Sequence, residues 1–311
     1  MTHVLVTGGC GYIGSVLVPL LRRDGRVDRV TVMDDLSSGT PRALAGQLGD
    51  ETVQFRQGDV RQYGDVEAAA READAVIHLA AITGAASTHD RREATIATNY
   101  DGTENVCTAA GKTGVDTLVF ASSCNVYGRA PTTDIDETVA PEPINPYAET
   151  KRDAEQLVAE TGEEFGVDTV SLRLATNYGD APGVRFNLVV NSFVFRALTG
   201  RPLTVYGDGS NWRPFIHVRD AARAYRAAAL APADWPQNVY NVGATDENYR
   251  VADVARLVSE EVAPVDITYL EDEHPGPSYH VNFDRLDETG FAPEWTLCEG
   301  IRDLQEAFVD E

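Results

Sequence analysis

The sequence predicts an α/β protein: a doubly wound parallel sheet with a smaller, interleaved C-terminal α/β region. Three observations carry this. Short β-branched runs alternate with helix-length segments over the first 175 residues. Glycines at 8, 11 and 14 stand between the first run and an apolar helical stretch. An acidic residue, Asp34, closes the second run. Strands separated by helix-length segments call for parallel pairing through crossovers, with helices on both faces of the sheet.

Taken in order, strands are expected at VLVT near residue 4, RVTVM near 29, VQFRQ near 53, AVIHLA near 75, TLVFAS near 117 and TVSLRL near 169. A helix should start at Tyr147, because Asn145 is a favoured N-cap residue and Pro146 suits the first helical position. Beyond 175 the pattern loosens into the turn-forming stretch TNYGDAPGVRFN, an apolar helix-like run over 188–199 and the loop YGDGSNWRP. VYNVG at 239–243 again reads as a core strand. The expected organisation is a cofactor-binding Rossmann unit over 1–175, completed by a strand near 236–243, with 176–311 mainly a substrate region interleaved with it.

Composition narrows the function. A chain of 311 residues with 43% hydrophobic content can bury a large core without staples, and no stretch approaches the roughly 18 apolar residues of a membrane span. Cys10, Cys107, Cys124 and Cys298 show no CxxC or CxxH spacing, which argues against a zinc site or a disulfide framework. A net charge of -23 repels nucleic acid phosphates and anionic lipid, so neither is an expected partner. MTHVLVTGG lacks the regions of a secretory signal, and a cytoplasmic location is expected. Two lysines, Lys112 and Lys151, stand against 24 arginines and 49 acidic residues, a balance expected of a protein from a high-salt cytoplasm.

The glycines at 8, 11 and 14 let the chain turn tightly, admit a pyrophosphate to the backbone and pack helix on strand, while free N–H groups at the helix end hold the anion. Asp34 follows Gly14 by 20 residues. A carboxylate there accepts hydrogen bonds from ribose hydroxyls and repels a 2'-phosphate, which favours NAD over NADP. Further on, Tyr147 and Lys151 are i and i+4 neighbours on one helical face. Lowering a phenol pKa from about 10 to near neutrality is worth roughly 4 kcal/mol. The Lys151 ammonium, an oxidised nicotinamide and the helix N-terminus can supply it together, making Tyr147 a general base.

With these residues in place, the sequence resembles the extended short-chain dehydrogenase/reductase family, in particular its sugar-nucleotide epimerases and dehydratases. The resemblance runs nearly end to end through TGGCGYIG, VMDDLSSG, GDV at 58–60, HLAA at 78–81, NYDGT at 99–103, SSCNVYG, YAETK, LRLATNYG and WRPFIHVRD. It implies that NAD is held by Gly8, Gly11, Tyr12, Ile13, Gly14 and Asp34, with Asp59 and Val60 at the adenine. Ala80 and Ala81 would line the diphosphate channel, and Asn99 would support the nicotinamide side, where Tyr147 and Lys151 also meet the cofactor. It makes Ser123, Tyr147 and Lys151 the catalytic residues, with Ser123 hydrogen-bonding the substrate oxygen that exchanges a proton. For the substrate it implies Asn177, Asn187, Leu188, Tyr206 and Arg213, the last as a phosphate contact. It also implies a homodimer packed through the helices carrying Asn99 and Tyr147.

Two departures matter. The 4,6-dehydratases place an Asp and a Glu directly after the catalytic Ser or Thr; here Cys124 and Asn125 stand there, which disfavours removal of water. A second phosphate-binding arginine is usual near the C-terminal motif, but this chain reads EHPGPSYHVNFD, with Pro277 where an Arg is common and His274 or His280 as partial substitutes. The expected activity is C4 epimerisation of a nucleotide sugar, with the UDP-glucose/UDP-galactose pair as default. A net NAD-dependent dehydrogenase or reductase of a sugar derivative is the alternative, and a catalytically silent NAD-binding regulator is a third reading.

Overall fold

The computed structural model describes every residue except 1, 50, 85–87, 131, 272–275 and 310–311. His274 therefore lies outside the described residues. The six early strands are β1 (Thr2–Thr7), β2 (Val27–Asp34), β3 (Val53–Gln57), β4 (Ala75–His78), β5 (Thr117–Ser123) and β6 (Asp168–Leu174). The later ones are β7 (Thr176–Tyr178), β8 (Leu203–Tyr206), β9 (Trp212–His217), β10 (Val239–Val242), β11 (Asn248–Arg250) and β12 (Ile267–Leu270). Helices α1 (Gly14–Arg22), α2 (Tyr63–Ala70), α3 (Arg92–Ile96), α4 (Gly102–Thr113) and α5 (Pro146–Phe165) belong to the first half. The second half has α6 (Val189–Leu198), α7 (Val218–Leu230), α8 (Val251–Glu261), α9 (Asp284–Asp287) and α10 (Leu297–Val309).

Seven strands form one parallel sheet in the order β10-β6-β5-β4-β1-β2-β3. Alternation along β1 explains why both faces are covered. Val4 and Val6 join the cluster of α1 and α7, while Leu5 joins that of α2, α4 and α5. The chain leaves β1 in one direction along the sheet and returns beside it as β4, so a crevice opens at the carboxyl ends of these strands, where doubly wound sheets bind ligands. The second region adds a three-stranded sheet, β11-β9-β7, and the parallel pair β12-β8. Helices α6, α8 and α10 pack on these through a separate apolar cluster that includes Phe193, Val254 and Leu304. No helix among the described residues is long and apolar enough to cross a membrane.

Candidate active site

A cleft of about 650 Å³ runs along the carboxyl ends of β1, β4 and β5 and under the loops of the second region. One end is the turn after β1. Gly8 has φ of +70°, and a Cβ there would lie 2.6 Å from the Ala80 backbone nitrogen. A Cβ on Gly14 would lie 2.5 Å from the Gly9 Cα. Only bare backbone allows the turn to sit this close to β4 and α1 to start this close to the turn. Gly8, Gly11, Tyr12, Ile13 and Gly14 all line the cleft, which places the N-terminus of α1, the positive end of its dipole, at the wall.

Asp34 also lines the cleft. Its two carboxylate oxygens accept from the Cys10 N–H at 2.9 Å and the Leu36 N–H at 2.8 Å, so the residue braces the glycine turn. Burial raises its pKa, and these two bonds pull the other way. Each oxygen keeps a lone pair for a ribose hydroxyl. Val60, Ala80 and Ala81 line the walls further in. Asp59 does not; it accepts two bonds from the guanidinium of Arg61, which does line the cleft, at 2.9 and 2.6 Å. Asn99 is also off the surface of the cleft, fully buried in a wide turn of π-helical geometry between α3 and α4. Its amide accepts from the Ile82 N–H at 2.8 Å and donates to the Ile82 carbonyl at 2.9 Å, which fixes a stretch of cleft wall.

Ser123, Tyr147 and Lys151 meet at the centre of the cleft. The Asn145 side chain caps α5, accepting from the Ala148 N–H at 2.9 Å, and its amide donates to Asn125 at 2.9 Å, which ties the helix start to the loop after Ser123. Burial raises the pKa of the Tyr147 phenol, and the Ser123 hydroxyl acts against that rise. Lys151 is 2% exposed. Its ammonium lies 4.6 Å from the centre of the Phe120 ring and 5.9 Å from that of Tyr147. Burial lowers its pKa to about 7, and Glu155, one turn further along α5, acts against that fall. Glu155 is itself held: it accepts two bonds from Arg173, at 2.9 and 2.7 Å, and another from the Ser122 hydroxyl.

On the substrate side, Asn177, Asn187 and Leu188 line the cleft. Tyr206 does not, being 66% exposed at the end of β8. Arg213 does not line it either; its guanidinium lies over the Tyr279 ring at 5.1 Å, and that ring forms the cleft wall. Among the lining residues that were not anticipated are the charged Arg61, Arg91 and Arg185 and the aromatic Tyr225 and Tyr279. Arg185 comes from the TNYGDAPGVRFN loop, where a cation in a turn-rich segment after a strand end was the available signal. Its guanidinium interacts electrostatically with Tyr147 and Tyr12, and burial lowers its pKa. Tyr225 sits inside the apolar face of α7 and reads in sequence as core. Its buried hydroxyl and the Oδ1 atom of Asn177 have no hydrogen-bond partner among the described residues.

The match of this site to a dinucleotide is thus local and chemical: a backbone cradle for a pyrophosphate, a carboxylate hydrogen-bonded to that cradle, and orphaned polar atoms of Asn177 and Tyr225 in the same cleft. Residues 4–243 match the model of the NAD dependent epimerase/dehydratase family. The chain belongs to that family. Its cofactor is accordingly NAD. Among relatives of this epimerase/dehydratase, the low-salt glycan biosynthesis protein Agl12 of Haloferax volcanii is 31% identical over 99% of this chain and 97% of its own. The NAD complex of Thermus thermophilus UDP-glucose 4-epimerase superposes with a TM-score of 0.86 at 30% identity, covering 98% of each chain. The dTDP-glucose 4,6-dehydratase DesIV of Streptomyces venezuelae gives 0.87 at 26% identity, covering 98% of this chain and 97% of its own. Family members of both reaction types are therefore similar to this chain at comparable levels. Among the described residues no group of three or more His, Cys, Asp and Glu could hold a metal ion.

Proposed function

We propose that this epimerase/dehydratase family member inverts C4 of a nucleotide sugar, with UDP-glucose and UDP-galactose as the default pair. The observation that carries the reading is the distribution of carboxylates. The cleft is lined by Asp34 and Asp35, both at the glycine turn, and by no Asp or Glu beside Ser123 among the described residues. Removal of water from a sugar needs an acid and a base beyond the tyrosine. Here Cys124 is fully buried, donates its thiol to the Arg173 carbonyl and is kept protonated by burial; Asn125 is an amide engaged with Asn145. Inversion at C4 needs one proton shuttle only.

In this reading Ser123 orients the C4 hydroxyl and Tyr147 takes its proton. Lys151 and the N-terminus of α5 stabilise the phenolate, and the same phenol returns the proton after the sugar ring has turned. Bound NAD would supply the hydride acceptor and donor and, in its oxidised form, a positive charge. In the protein alone, burial holds Tyr147 protonated, so the base is activated by positive charge at the nicotinamide end. Arg185, facing Tyr147, adds a second cation on the substrate side.

The test is cofactor and isotope balance on a panel of nucleotide sugars in D₂O. Epimerisation runs on catalytic NAD, accumulates no NADH and leaves carbon-bound hydrogen in place. Solvent deuterium at C5 with loss of the C6 hydroxyl would mean dehydration, and stoichiometric NADH would mean net oxidation.

A further inference from the structure

Two guanidiniums bind adjacent carbonyls of the Gly276–Pro277 segment. Arg213, on β9, donates to the carbonyls of Trp212 at 2.8 Å and of Pro277. Arg129, in the loop that follows Ser123, donates through Nε to the Gly276 carbonyl at 3.2 Å. The two segments are joined by backbone bonds, Ala130 N–H to the Ser278 carbonyl at 3.1 Å and Ser278 N–H to the Gly128 carbonyl at 2.9 Å, so the relative position of the arginines is fixed by the fold. Burial lowers the pKa of Arg213, the Tyr279 phenol acts against that fall, and the Arg129 charge adds to it.

Neither arginine has a carboxylate partner among the described residues, in a chain with 49 acidic side chains and a net charge of -23. Arginines buried or half-buried like Arg213 commonly do, as Arg173 with Glu155, Arg223 with Asp220 and Arg285 with Glu137 show. Two like charges held together with no counter-charge among the described residues attract an anion of matching valence. The site adjoins the cleft, since Arg213 covers the outer face of the Tyr279 ring that lines it. A free sugar brings no charge to this place, whereas a diphosphate brings two, with oxygens spaced for two planar donors.

We propose that Arg129 is a substrate-binding residue that shares the diphosphate of a nucleotide sugar with Arg213, supplying from the loop after β5 the second cation that Pro277 does not. This rests on the nucleotide-sugar reading above and assigns Arg129 a role in it. Arg129 is exposed, so its replacement leaves the fold in place.

The experiment is titration calorimetry on the full chain with NAD, using UDP, dTDP and GDP as probes and the corresponding nucleosides as uncharged controls. The Arg129→Gln and Arg213→Gln variants are measured beside the wild type. Charge-assisted bonds of this kind predict that Arg129→Gln weakens the bound nucleoside diphosphate about tenfold or more, while NAD affinity and melting temperature stay at the wild-type values. In turnover, KM for the nucleotide sugar rises by a similar factor with kcat little changed. Wild-type diphosphate affinity in Arg129→Gln, with affinity lost in Arg213→Gln, would overturn the role of Arg129 and leave the nucleotide-sugar reading standing. If the wild-type protein distinguishes none of the diphosphates from their nucleosides, the reading itself fails.

Discussion

At the scale of single residues, Lys151 shows how burial and function meet. In a chain with two lysines, this one is buried against Phe120 and Tyr147, at a position where a compact ammonium with three donors fits and a wide planar guanidinium does not. Lys151→Arg is expected to keep the fold and lose most activity near neutral pH, with partial recovery as rising pH ionises Tyr147 unaided; kcat/KM profiles check this. Stability carries a second signature. The folded pKa of Lys151, about 7, lies below its ordinary value of 10.5. Between those values the unfolded chain binds the proton that the folded chain has lost, so this group makes stability rise with pH across that window. An arginine stays charged throughout, and denaturation midpoints measured from pH 7 to 9 should lose that contribution in the variant. Tyr225 makes the opposite kind of prediction. Its buried hydroxyl, without a hydrogen-bond partner among the described residues, costs the protein alone desolvation energy, so Tyr225→Phe should raise the unfolding free energy without NAD by about 1 kcal/mol. A loss of stability would show that the hydroxyl has a structural partner after all.

At the scale of elements, α5 carries three functions on one face at four-residue spacing: Tyr147 and Lys151 in the cleft, and Glu155 behind them. Glu155 joins α5 to β6 through Arg173, and Arg173 continues to the Tyr127 hydroxyl at 2.8 Å, which donates to Asn241 on β10 at 2.8 Å. Glu155 and Arg173 are 7% and 5% exposed. Glu155→Gln leaves a buried guanidinium without its counter-charge, and chemical denaturation should show a loss of about 3–5 kcal/mol. Replacing both partners by apolar residues of similar volume should recover most of it. The helix itself was legible, because Asn145 and Pro146 are strong local start signals and the structure uses both. The pairing of Glu155 with Arg173 was not, since it joins residues 18 apart in sequence across two elements. Strands β7, β8, β11 and β12, of three or four residues each, were equally hidden, and β9 was missed because Trp212, Arg213 and Pro214 read as the end of the loop YGDGSNWRP, whereas the structure places them in the strand. Arg129 was passed over for the same reason as Glu155: its meaning comes from a neighbour 84 residues away in the chain.

At the scale of the molecule, the parallel doubly wound sheet was legible because its strands are buried on both faces and so appear as near-continuous β-branched runs bounded by turns. What composition adds is the solvent the molecule is built for. A charge of -23 on 311 residues stores self-repulsion in the compact state, and the ion pairs that would offset it are mostly exposed, as between Arg29 and Glu72 or Arg302 and Glu261. Screening acts on the two terms unequally. At 1 M salt the Debye length falls to about 3 Å, which weakens repulsion among carboxylates spread over the surface more than it weakens contacts near 3 Å. Buried links such as Glu155–Arg173 are screened least. The melting temperature and the activity should therefore both rise from 0.1 M to molar KCl. Substituting surface acids distant from the cleft, for example Glu163, Glu164 and Glu260 by Gln, should raise stability at low salt and flatten that dependence. Maximal stability and activity without added salt in the wild-type protein would sink the idea that the acidic surface is an adaptation to high salt.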